Sequence, residues 1–373
     1  MRVIIAAAGT AGHINPGIAI ANKIKQEEKN SEIIFIGTTR GLENDLVPRA
    51  GYELKTIDAY GLSKKLSIEN IKKMYKTLKG FSEAKKIMKE FKPDIVIGTG
   101  GYICGATIVS AHSLNIPTML HESNAFPGKA VKLLAKKTDT ILVSFEDAIS
   151  RIKNAKNVVY TGTPVKIKKQ EYGINERNRI LKEIGLNETK PIILVSGGSQ
   201  GAQKINEAIM EIIQNKLNKN YQMVWATGPK QFDIVKGNLE NNNIQIHHIN
   251  NMKIVPYIYN MEEIMNVADV IIGRAGAMTV TEISNLGKPS ILVPLPNVSH
   301  NHQLYNAKVL ESIDAAKIIL NEELTGEKLN HMIEEIILDQ SKMKKMGENA
   351  LKVSTNQVED MIYQEIKKLV ERK

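Results

Sequence analysis

The chain has 373 residues, enough for two domains or three at about 150 residues each, and its 42% hydrophobic and 24% charged residues are typical of a globular protein, which excludes a disordered chain. The single cysteine, Cys104, excludes an intrachain disulfide and a cysteine-rich metal site and favours a reducing compartment. The formal net charge of +10 favours an anionic partner, such as a phosphate, a nucleic acid or an acidic membrane.

Short runs rich in Ile and Val alternate with longer amphipathic segments along the chain. The runs are apolar throughout, as expected for parallel strands that are covered on both faces. The predicted strands are residues 3–8, 33–37, 94–98, 118–121, 140–143, 158–161, 192–196, 223–227, 244–248, 270–273, 290–294 and 317–320. Helical patterns lie between them, for example at residues 16–27 and 206–214. This order predicts an α/β protein with doubly wound, Rossmann-like parallel sheets.

The strand–helix order starts again in the middle of the chain. Residues 161–164, Thr-Gly-Thr-Pro, resemble a linker, and the polar segment 166–190 precedes a new strand that ends in glycines, as the first strand does. We therefore expect two domains, residues 1–162 and 163–373, that face each other across a cleft. The final helix, at about 358–373, is free in this scheme to pack back on the N-terminal domain.

No membrane-spanning segment is expected. The apolar start of the chain is too short for a secretory signal, and it runs directly into a glycine cluster. The longest stretch without a formal charge, residues 95–121, is interrupted by four glycines and Pro117. Any contact with a membrane should therefore be peripheral.

Three glycine clusters, at residues 9–12, 98–101 and 197–201, directly follow predicted strands. Glycine lets the backbone turn tightly and approach a ligand, and the next helix presents free N–H groups to an anion. One such cluster is equally compatible with a strand–helix turn without a ligand, but three clusters in two domains favour phosphate binding. The first cluster lacks the features of a Walker motif and of a nicotinamide-binding fingerprint, which disfavours both classes.

Two later segments carry polar groups at predicted strand ends. Glu282 falls in the first turns of a helix that follows the segment 273–279, most of whose residues are small. A carboxylate there can accept hydrogen bonds from a ribose diol or simply interact with the helix dipole. Residues 301–303, Asn-His-Gln, can bind sugar hydroxyls or phosphate, or form a solvated helix start. The sequence contains no Asp-x-Asp motif, with which many transferases hold Mg²⁺, so we expect backbone amides and helix N-termini to stabilise a diphosphate and expect no cofactor or metal.

Five short motifs occur together in the order seen in one enzyme family. They are GTAGHINP at 9–16, HESN at 121–124, GGSQGA at 197–202, GRAGA at 273–277 and NHQ at 301–303. On these motifs the chain resembles the MurG family, the N-acetylglucosaminyltransferases of peptidoglycan synthesis, from Met1 to about residue 320. The resemblance implies a GT-B fold and a role in cell-wall biogenesis, and hence in cell shape and division. The implied reaction is inverting transfer of N-acetylglucosamine from UDP-N-acetylglucosamine to the 4-hydroxyl of the muramoyl sugar of undecaprenyl-linked lipid I, giving lipid II.

The resemblance also implies where the donor binds. In the C-terminal domain, Ser199 and Gln200 would meet the diphosphate, the backbone of Ile258 would bond uracil, and Glu282 would bind the ribose. Lys166 stands where many relatives have a donor-binding arginine, and a lysine supplies a point charge without a bidentate fork. The remaining donor-site residues implied by the family are Arg274, Ala277, Met278 and Thr279 along the nucleotide, and His302 and Gln303 at the sugar.

The N-terminal domain would supply the acceptor site and the base. The substrate-binding residues implied there are Thr10, Ala11, Gly12, Tyr102 and Asn124. Inversion requires a base that removes the proton of the acceptor hydroxyl. We expect His13 to be this base, with orientation of the glycine loop as its alternative role, and Glu122 is the competing candidate, which could instead position the loop around Asn124.

A basic amphipathic segment spans residues 61–92, with ten lysines against three glutamates. Lysines on one side of a helix and apolar residues on another suit an anionic membrane surface, where each lysine contributes about 1 kcal/mol. The predicted membrane-binding residues are Ile71, Lys72, Lys73, Met74, Tyr75, Lys76, Leu78, Lys79 and Phe81. The alternative is a core-facing helix with a solvated lysine face. Ala84, Ile87, Met88 and Phe91 are predicted to be core. We expect a peripheral protein on the cytoplasmic face of the cell membrane.

Three other functions remain open at this point. Another UDP-sugar GT-B transferase, acting on a membrane lipid such as diacylglycerol, would share the donor site and the basic segment. A non-hydrolysing UDP-sugar epimerase would have a similar architecture and need no lipid acceptor. A nucleic-acid-binding protein is suggested only by charge; because aromatic residues are 5% of the chain and are not interleaved with the lysines, no nucleic-acid partner is expected.

Overall fold

The computed structural model describes residues 1–60, 67–198, 200–246, 249 and 251–372. They form two compact units, the first comprising Met1–Val165 and Thr355–Lys373 and the second Lys166–Ser354. The first unit thus includes residues 163–165 and the terminal segment 355–373, which contains the final helix.

The described residues of the first unit contain a parallel sheet of seven strands. The strands are β1 (Arg2–Ala7), β2 (Glu32–Gly37), β3 (Glu53–Thr56), β4 (Ile95–Gly100), β5 (Thr118–Glu122), β6 (Thr140–Val143) and β7 (Val158–Tyr160). Their spatial order is β3-β2-β1-β4-β5-β6-β7, so the direction of winding reverses between β1 and β4. In such sheets ligands bind beyond the carboxyl ends of the strands at this reversal.

Helices cover both faces of this sheet. They are α1 (Ala11–Glu27), α2 (Glu43–Arg49), α3 (Ile68–Phe91), α4 (Ile103–Ser113) and α5 (Lys129–Leu134). Alternate residues of β1 enter two different cores: Val3 and Ile5 pack with α1, whereas Ile4 packs with α3 and α4. Burial on both faces explains why the strand sequences are apolar throughout.

The second unit repeats this architecture with a six-stranded parallel sheet among its described residues. The strands are β8 (Ile192–Ser196), β9 (Gln222–Ala226), β10 (Met252–Val255), β11 (Val270–Gly273), β12 (Ser290–Leu292) and β13 (Ala316–Ile318). Their order is β10-β9-β8-β11-β12-β13, with the reversal between β8 and β11. The helices are α6 (Ile174–Glu183), α7 (Gln203–Gln214), α8 (Phe232–Asn241), α9 (Met261–Val267), α10 (Ala277–Leu286), α11 (His302–Glu311), α12 (Gly326–Ile337) and α13 (Gln340–Leu351).

The last helix, α14 (Val358–Glu371), packs on the first unit. Its apolar side chains Val358, Ile362, Ile366 and Leu369 are buried in the same core as α1. Burying each of them stabilises this placement by about 1.5–3 kcal/mol. The Tyr363 hydroxyl also donates to Glu28 at the end of α1, at 3.0 Å. This apolar contact is the physical reason that the segment joins the first unit.

One predicted strand is wrong. Within residues 244–248, the described residues Ile244–Ile246 are not in a strand, and the third strand of the sheet is β10 instead. Asn243, which follows the C-cap of α8, has φ +59°, and the Ile244 N–H donates to the Leu239 carbonyl at 2.9 Å. This is a Schellman C-cap, in which the apolar residue after the left-handed position packs back on the helix. Ile244 is thus apolar because it caps a helix.

Candidate functional site

The first glycine cluster fixes the orientation of His13. Helix α1 begins at Ala11, before the predicted start at residue 16, so His13 lies in its first turn. The ring Nδ1 is 3.0 Å from the carbonyl oxygen of Ala8. A carbonyl oxygen can only accept, so Nδ1 carries the proton and the Nε2 of the neutral ring keeps its lone pair. Thr99 Oγ1 also donates to the His13 carbonyl at 2.8 Å. An oriented imidazole with a basic Nε2 is the arrangement that a general base requires.

The second glycine cluster packs directly against the first. Gly100, the last residue of β4, has φ +141°, and a Cβ built there would lie 2.3 Å from Cδ2 of His13. Gly101 has φ +88°, and its Cβ would lie 2.6 Å from the Ala8 carbonyl oxygen. Only glycine allows this approach at both positions. Glycine is therefore required at these two positions because the His13 side chain and the Ala8 carbonyl pack directly against them.

The predicted acceptor-binding residues lie at the strand ends where the first sheet reverses. Thr10 is the N-cap of α1 and is exposed, and Ala11 and Gly12 are half-buried in its first turn. Tyr102, the N-cap of α4 after β4, has 69% of its surface exposed. Thr10 and Tyr102 therefore present accessible side chains at the edge that also holds His13.

The Glu122 carboxylate is occupied by its own loop. Oε1 accepts from the backbone N and Nδ2 of Asn124, at 2.9 Å and 3.1 Å, and Oε2 accepts from the Gly128 N–H at 2.6 Å. The side chain is buried at the end of β5. These contacts favour positioning of Asn124 over proton abstraction. The neighbouring His121 is buried, which lowers its pKa to about 4 and keeps it neutral.

In the second unit, two loops that follow strands touch through their backbones. Gly201, in the cluster after β8, has φ +78°, and a Cβ there would lie 2.3 Å from the Thr227 carbonyl oxygen. Asn206 Nδ2 donates to the same carbonyl at 2.9 Å, and Trp225 Nε1 donates to Asn206 Oδ1 at 3.0 Å. Gln200 is exposed beside this contact, whereas Ser199 lies outside the described residues. The contact holds the N-terminus of α7 and its preceding loop in a fixed shape.

Arg274 braces the loop after β12. Its Nη1 donates to the Val293 carbonyl at 3.1 Å and to Asn321 Oδ1 at 2.9 Å, and burial lowers the pKa of the guanidinium. The predicted nucleotide-binding residues that follow it, in the first turn of α10, are half-buried; they are Ala277, Met278 and Thr279. The structure therefore gives Arg274 a bracing role beside these residues.

Glu282 is a carboxylate without a protein partner. It is the sixth residue of α10, and burial raises its pKa to about 7. Among the described residues, no hydrogen bond or ion pair reaches it, and no group of three or more His, Cys, Asp or Glu side chains could hold a metal ion. A helix dipole acts within the first turn, which Glu282 has passed. A half-buried acid that no described residue bonds, and whose pKa is raised by burial, favours a ligand that brings hydroxyl donors.

The remaining predicted donor residues occupy separate loops of the second unit. Gln303 Oε1 accepts from the Leu295 N–H at 2.9 Å and so links α11 to the loop after β12, and His302 is the first residue of α11. Ile258 is buried, although its neighbour Tyr259 has 93% of its surface exposed. Lys166 is exposed at the start of the unit. None of these positions contradicts its predicted role, which stays a prediction.

The basic helix α3 is half core and half surface. Tyr75 and Leu78 have 71% and 60% of their surfaces exposed, and Lys72, Lys76 and Lys79 are exposed as well. Phe81 is half-buried and packs against the core of the first unit with Ile87 and Phe91, and its predicted membrane contact stays a prediction. Ala84 and Met88 are buried in that core as predicted. The side chains of Ile71, Lys73 and Met74 lie outside the part that the structure describes.

Glu43 was not anticipated from the sequence. It is the first residue of α2, is completely buried, and accepts from the Gly9 N–H at 2.9 Å and from Thr38 N and Oγ1 at 2.9 Å and 2.7 Å. Burial opposes its ionisation, but the hydrogen bonds from Gly9 and Thr38 outweigh burial and hold its pKa below the ordinary value. The sequence feature that could have pointed to Glu43 is an acidic residue two positions after Gly41.

Comparison with known proteins places the chain in a family. Residues 3–143 match the glycosyltransferase family 28 N-terminal domain, and residues 192–364 match the C-terminal domain of that family. The chain is 44% identical over 369 residues to a UDP-N-acetylglucosamine–N-acetylmuramyl-(pentapeptide) pyrophosphoryl-undecaprenol N-acetylglucosamine transferase of Thermoanaerobacter sp. (strain X514), covering 99% of this chain and 100% of the relative. A transferase of the same name from Ruminiclostridium cellulolyticum is 41% identical over 370 residues, covering 99% of this chain and 100% of the relative.

The fold agrees with this result. The crystal structure of Acinetobacter baumannii MurG superposes with a TM-score of 0.78 at 26% sequence identity, covering 98% of this chain and 99% of that one. The predicted α/β class with two doubly wound parallel sheets is confirmed. Because both family domains match and relatives above 40% identity extend over the whole length, the chain belongs to glycosyltransferase family 28 and, within it, to the MurG family.

Proposed function

We propose that this protein transfers N-acetylglucosamine from UDP-N-acetylglucosamine to the 4-hydroxyl of the muramoyl sugar of undecaprenyl-linked lipid I, with inversion, and so forms lipid II. The observation that carries this proposal is the full-length identity of 44% to a transferase whose name states both the donor and the acceptor. The glycine loops, the oriented His13 and the partnerless Glu282 supply the groups that such a transfer requires.

The second unit binds the donor in this proposal. Departure of UDP builds negative charge on the diphosphate, and the loop amides before α7 and the N-terminus of α10 present N–H groups and a positive dipole end to it. Glu282 accepts hydrogen bonds from the ribose hydroxyls, which replaces the hydrogen bonds to water that it loses on burial. The backbone of Ile258 takes uracil, Gln200 and Ser199 take the diphosphate, and His302 and Gln303 take the sugar.

The first unit activates the acceptor. The Nε2 of His13 removes the proton from the acceptor hydroxyl as the sugar carbon is attacked, and the imidazolium that forms is stabilised through Nδ1–H and the Ala8 carbonyl. Glu122 holds Asn124 in place for contact with the acceptor and takes no proton. Inversion follows from a single displacement at the sugar carbon with this one base.

An anionic bilayer is the proposed docking partner of α3. The exposed Tyr75 and Leu78 supply apolar contact and three exposed lysines supply charge, which is the combination found in helices that lie in the membrane interface. No helix among the described residues is long and apolar enough to cross a bilayer. Because lipid I is bound to a membrane through its lipid, we propose peripheral docking on the cytoplasmic face.

The transfer is tested with labelled UDP-N-acetylglucosamine, with and without lipid I in detergent. Label that enters lipid only when lipid I is present supports the proposal. Label that enters diacylglycerol would instead support a different membrane-lipid transferase, and epimerised soluble sugar would support an epimerase. Either result, in the absence of lipid II, would refute the proposed acceptor.

Docking is tested by sedimentation with vesicles of phosphatidylglycerol and phosphatidylcholine. Charge reversal of the exposed lysines of α3, in the variant Lys72→Glu/Lys76→Glu/Lys79→Glu, removes about 1 kcal/mol per lysine and should weaken binding at least 100-fold. A control with the same charge change uses three exposed lysines of the second unit: Lys182, Lys216 and Lys219. Equal binding by the two triple variants would leave α3 as a solvated surface helix.

A further inference from the structure

A buried carboxylate lies one peptide group away from the ring of His13. Glu43 Oε2 accepts from the Gly9 N–H at 2.9 Å, and the Ala8 carbonyl accepts from His13 Nδ1 at 3.0 Å. The Gly9 N–H and the Ala8 carbonyl belong to the same peptide bond, which is planar and conjugated. Glu43, the Ala8–Gly9 peptide and His13 therefore form one continuous chain of hydrogen bonds.

Such a chain changes the basicity of its far end. An anion that accepts from the N–H of an amide increases the negative charge on the carbonyl oxygen of that amide, and linked hydrogen bonds strengthen one another. A more negative Ala8 oxygen stabilises the protonated imidazole more than the neutral one. The effect has the same sign as that of a carboxylate bonded directly to a histidine, which orients the ring and raises its basicity.

The rest of the structure holds this chain in place. The other oxygen of Glu43 accepts from Thr38 N and Oγ1, at 2.9 Å and 2.7 Å, so the carboxylate cannot rotate away from Gly9 without losing both bonds. At Gly41 a Cβ would overlap the Glu43 carboxylate, and at Gly101 it would lie 2.6 Å from the Ala8 oxygen. Glycine at these two positions thus leaves room for the Glu43 carboxylate and for the Ala8 carbonyl oxygen.

Other charged groups on the neighbouring elements are paired or neutral. On α2, Asp45 is bonded to Arg49 at 2.8 Å, and in the loop after β2 Arg40 stacks on Tyr60, 3.8 Å from the ring centroid, and faces Asp58 at 3.9 Å. On α4, Cys104 is buried and its pKa is raised to about 12. On β5, Glu122 accepts three hydrogen bonds from its own loop. The other titratable groups carried by α1 and α4 lie farther along these helices, apart from the exposed Tyr102 at the N-cap of α4.

We propose that Glu43 is a positioning residue that acts on His13 through the Ala8–Gly9 peptide group, fixing the ring with its proton on Nδ1 and raising the basicity of Nε2. The carboxylate does not touch the substrate in this proposal. The inference rests on the proposed role of His13 as the base, but the ring's tautomer and pKa can be measured without any substrate.

The first test is an NMR titration of the full chain labelled with ¹⁵N-histidine, in which the His13 signals are assigned by their loss in His13→Gln. The wild-type ring should be the Nδ1–H tautomer at neutral pH. Glu43→Gln removes the negative charge at the far end of this chain of hydrogen bonds, and we expect the pKa of His13 to fall by about 0.5–1 unit. Thr38→Val is the matched control, since it loosens the same carboxylate but leaves the charge and the Gly9 bond in place, and it should leave this pKa within about 0.2 unit.

Two results would overturn the proposal: an Nε2–H tautomer in the wild type, or an unchanged pKa of His13 in a folded Glu43→Gln variant. The tautomer result does not depend on Glu43→Gln, so an Nε2–H tautomer would overturn the proposal even if Glu43→Gln does not fold. In the transfer assay, the acidic limb of the kcat/KM profile should move to lower pH in Glu43→Gln, with kcat about 10-fold lower. A merely structural role would lower kcat without moving that limb. Absence of transfer by the wild type would refute the proposed function and leave the NMR result intact.

Discussion

Replacement of Gly100 by alanine tests whether the position of the His13 ring determines the rate of transfer. The added Cβ would lie 2.3 Å from Cδ2 and 2.5 Å from Cγ of the His13 ring, and 3.0 Å from the His13 Cβ. Carbon atoms in contact are normally about 3.5–4.0 Å apart, so the ring must move by more than about 1 Å. A displacement of that size at a catalytic group costs about 100-fold in rate. The backbone of Gly100, with φ +141°, adds strain of about 1–3 kcal/mol for any other residue.

We therefore expect Gly100→Ala to lower kcat about 100-fold and to change the KM for UDP-N-acetylglucosamine little, because the proposed donor-binding residues lie in the second unit. The assay is lipid II formation over a range of donor concentrations. Gly105→Ala is the control, since Gly105 lies in α4 of the same unit and a Cβ there meets nothing within 4 Å. That variant should keep full activity and gain up to about 1 kcal/mol of stability from helix propensity.

A double-mutant comparison shows whether the loss of kcat in Gly100→Ala is caused by displacement of His13. In the His13→Ala background the clashing ring is gone, so adding Gly100→Ala should lower kcat by less than about 3-fold further. A further 100-fold loss in that background would show that Gly100 acts elsewhere. Wild-type kcat in Gly100→Ala itself would refute the claim that the position of the ring controls the rate.

Three further predictions concern His13 and Glu282. His13→Ala should lower kcat about 10²–10⁴-fold, the range for a lost general base, and near-normal turnover measured with lipid I would remove it from that role. Glu282→Ala should raise the KM for the donor more than it lowers kcat, because ribose binding is the same in the ground and transition states. Since burial raises the pKa of Glu282 to about 7 from 4.5, the free protein is stabilised by the bound proton below about pH 4.5 and loses that contribution as the pH rises through 7. Glu282→Gln should therefore be more stable than the wild type at pH 8, by roughly 1–3 kcal/mol in urea denaturation without UDP, and equal stabilities would contradict the assigned burial.

Most of the fold was accessible from the sequence because strands buried on both faces are apolar throughout. Val3 and Ile4 enter different cores, and this is visible as an unbroken apolar run. The edge strand β3 was missed because Glu53 and Lys55 alternate with Leu54 and Thr56, so only one partly buried apolar side chain marks it. Ile244 gave a false strand signal because a helix C-cap also requires an apolar residue.

The site was predictable where its residues are adjacent in sequence and not where they are brought together by folding. His13 could be identified because it follows the glycine cluster at 9–12. Its tautomer could not, because it depends on the Ala8 carbonyl. The proposed role of Glu43 could not either, because its partners Gly9 and Thr38 lie 34 and 5 residues away. For the same reason, helical spacing alone could not show that Phe81 packs partly against the core of the first unit.

The position of α14 has a consequence for folding during synthesis. The second unit is one uninterrupted segment, whereas the first unit needs both Met1–Val165 and Thr355–Lys373. Every residue of the second unit is therefore synthesised before α14 can add its four apolar side chains to the core that it shares with α1. The unit that carries His13 can therefore complete its core only after residues 355–373 have been synthesised, which is later than the whole of the second unit.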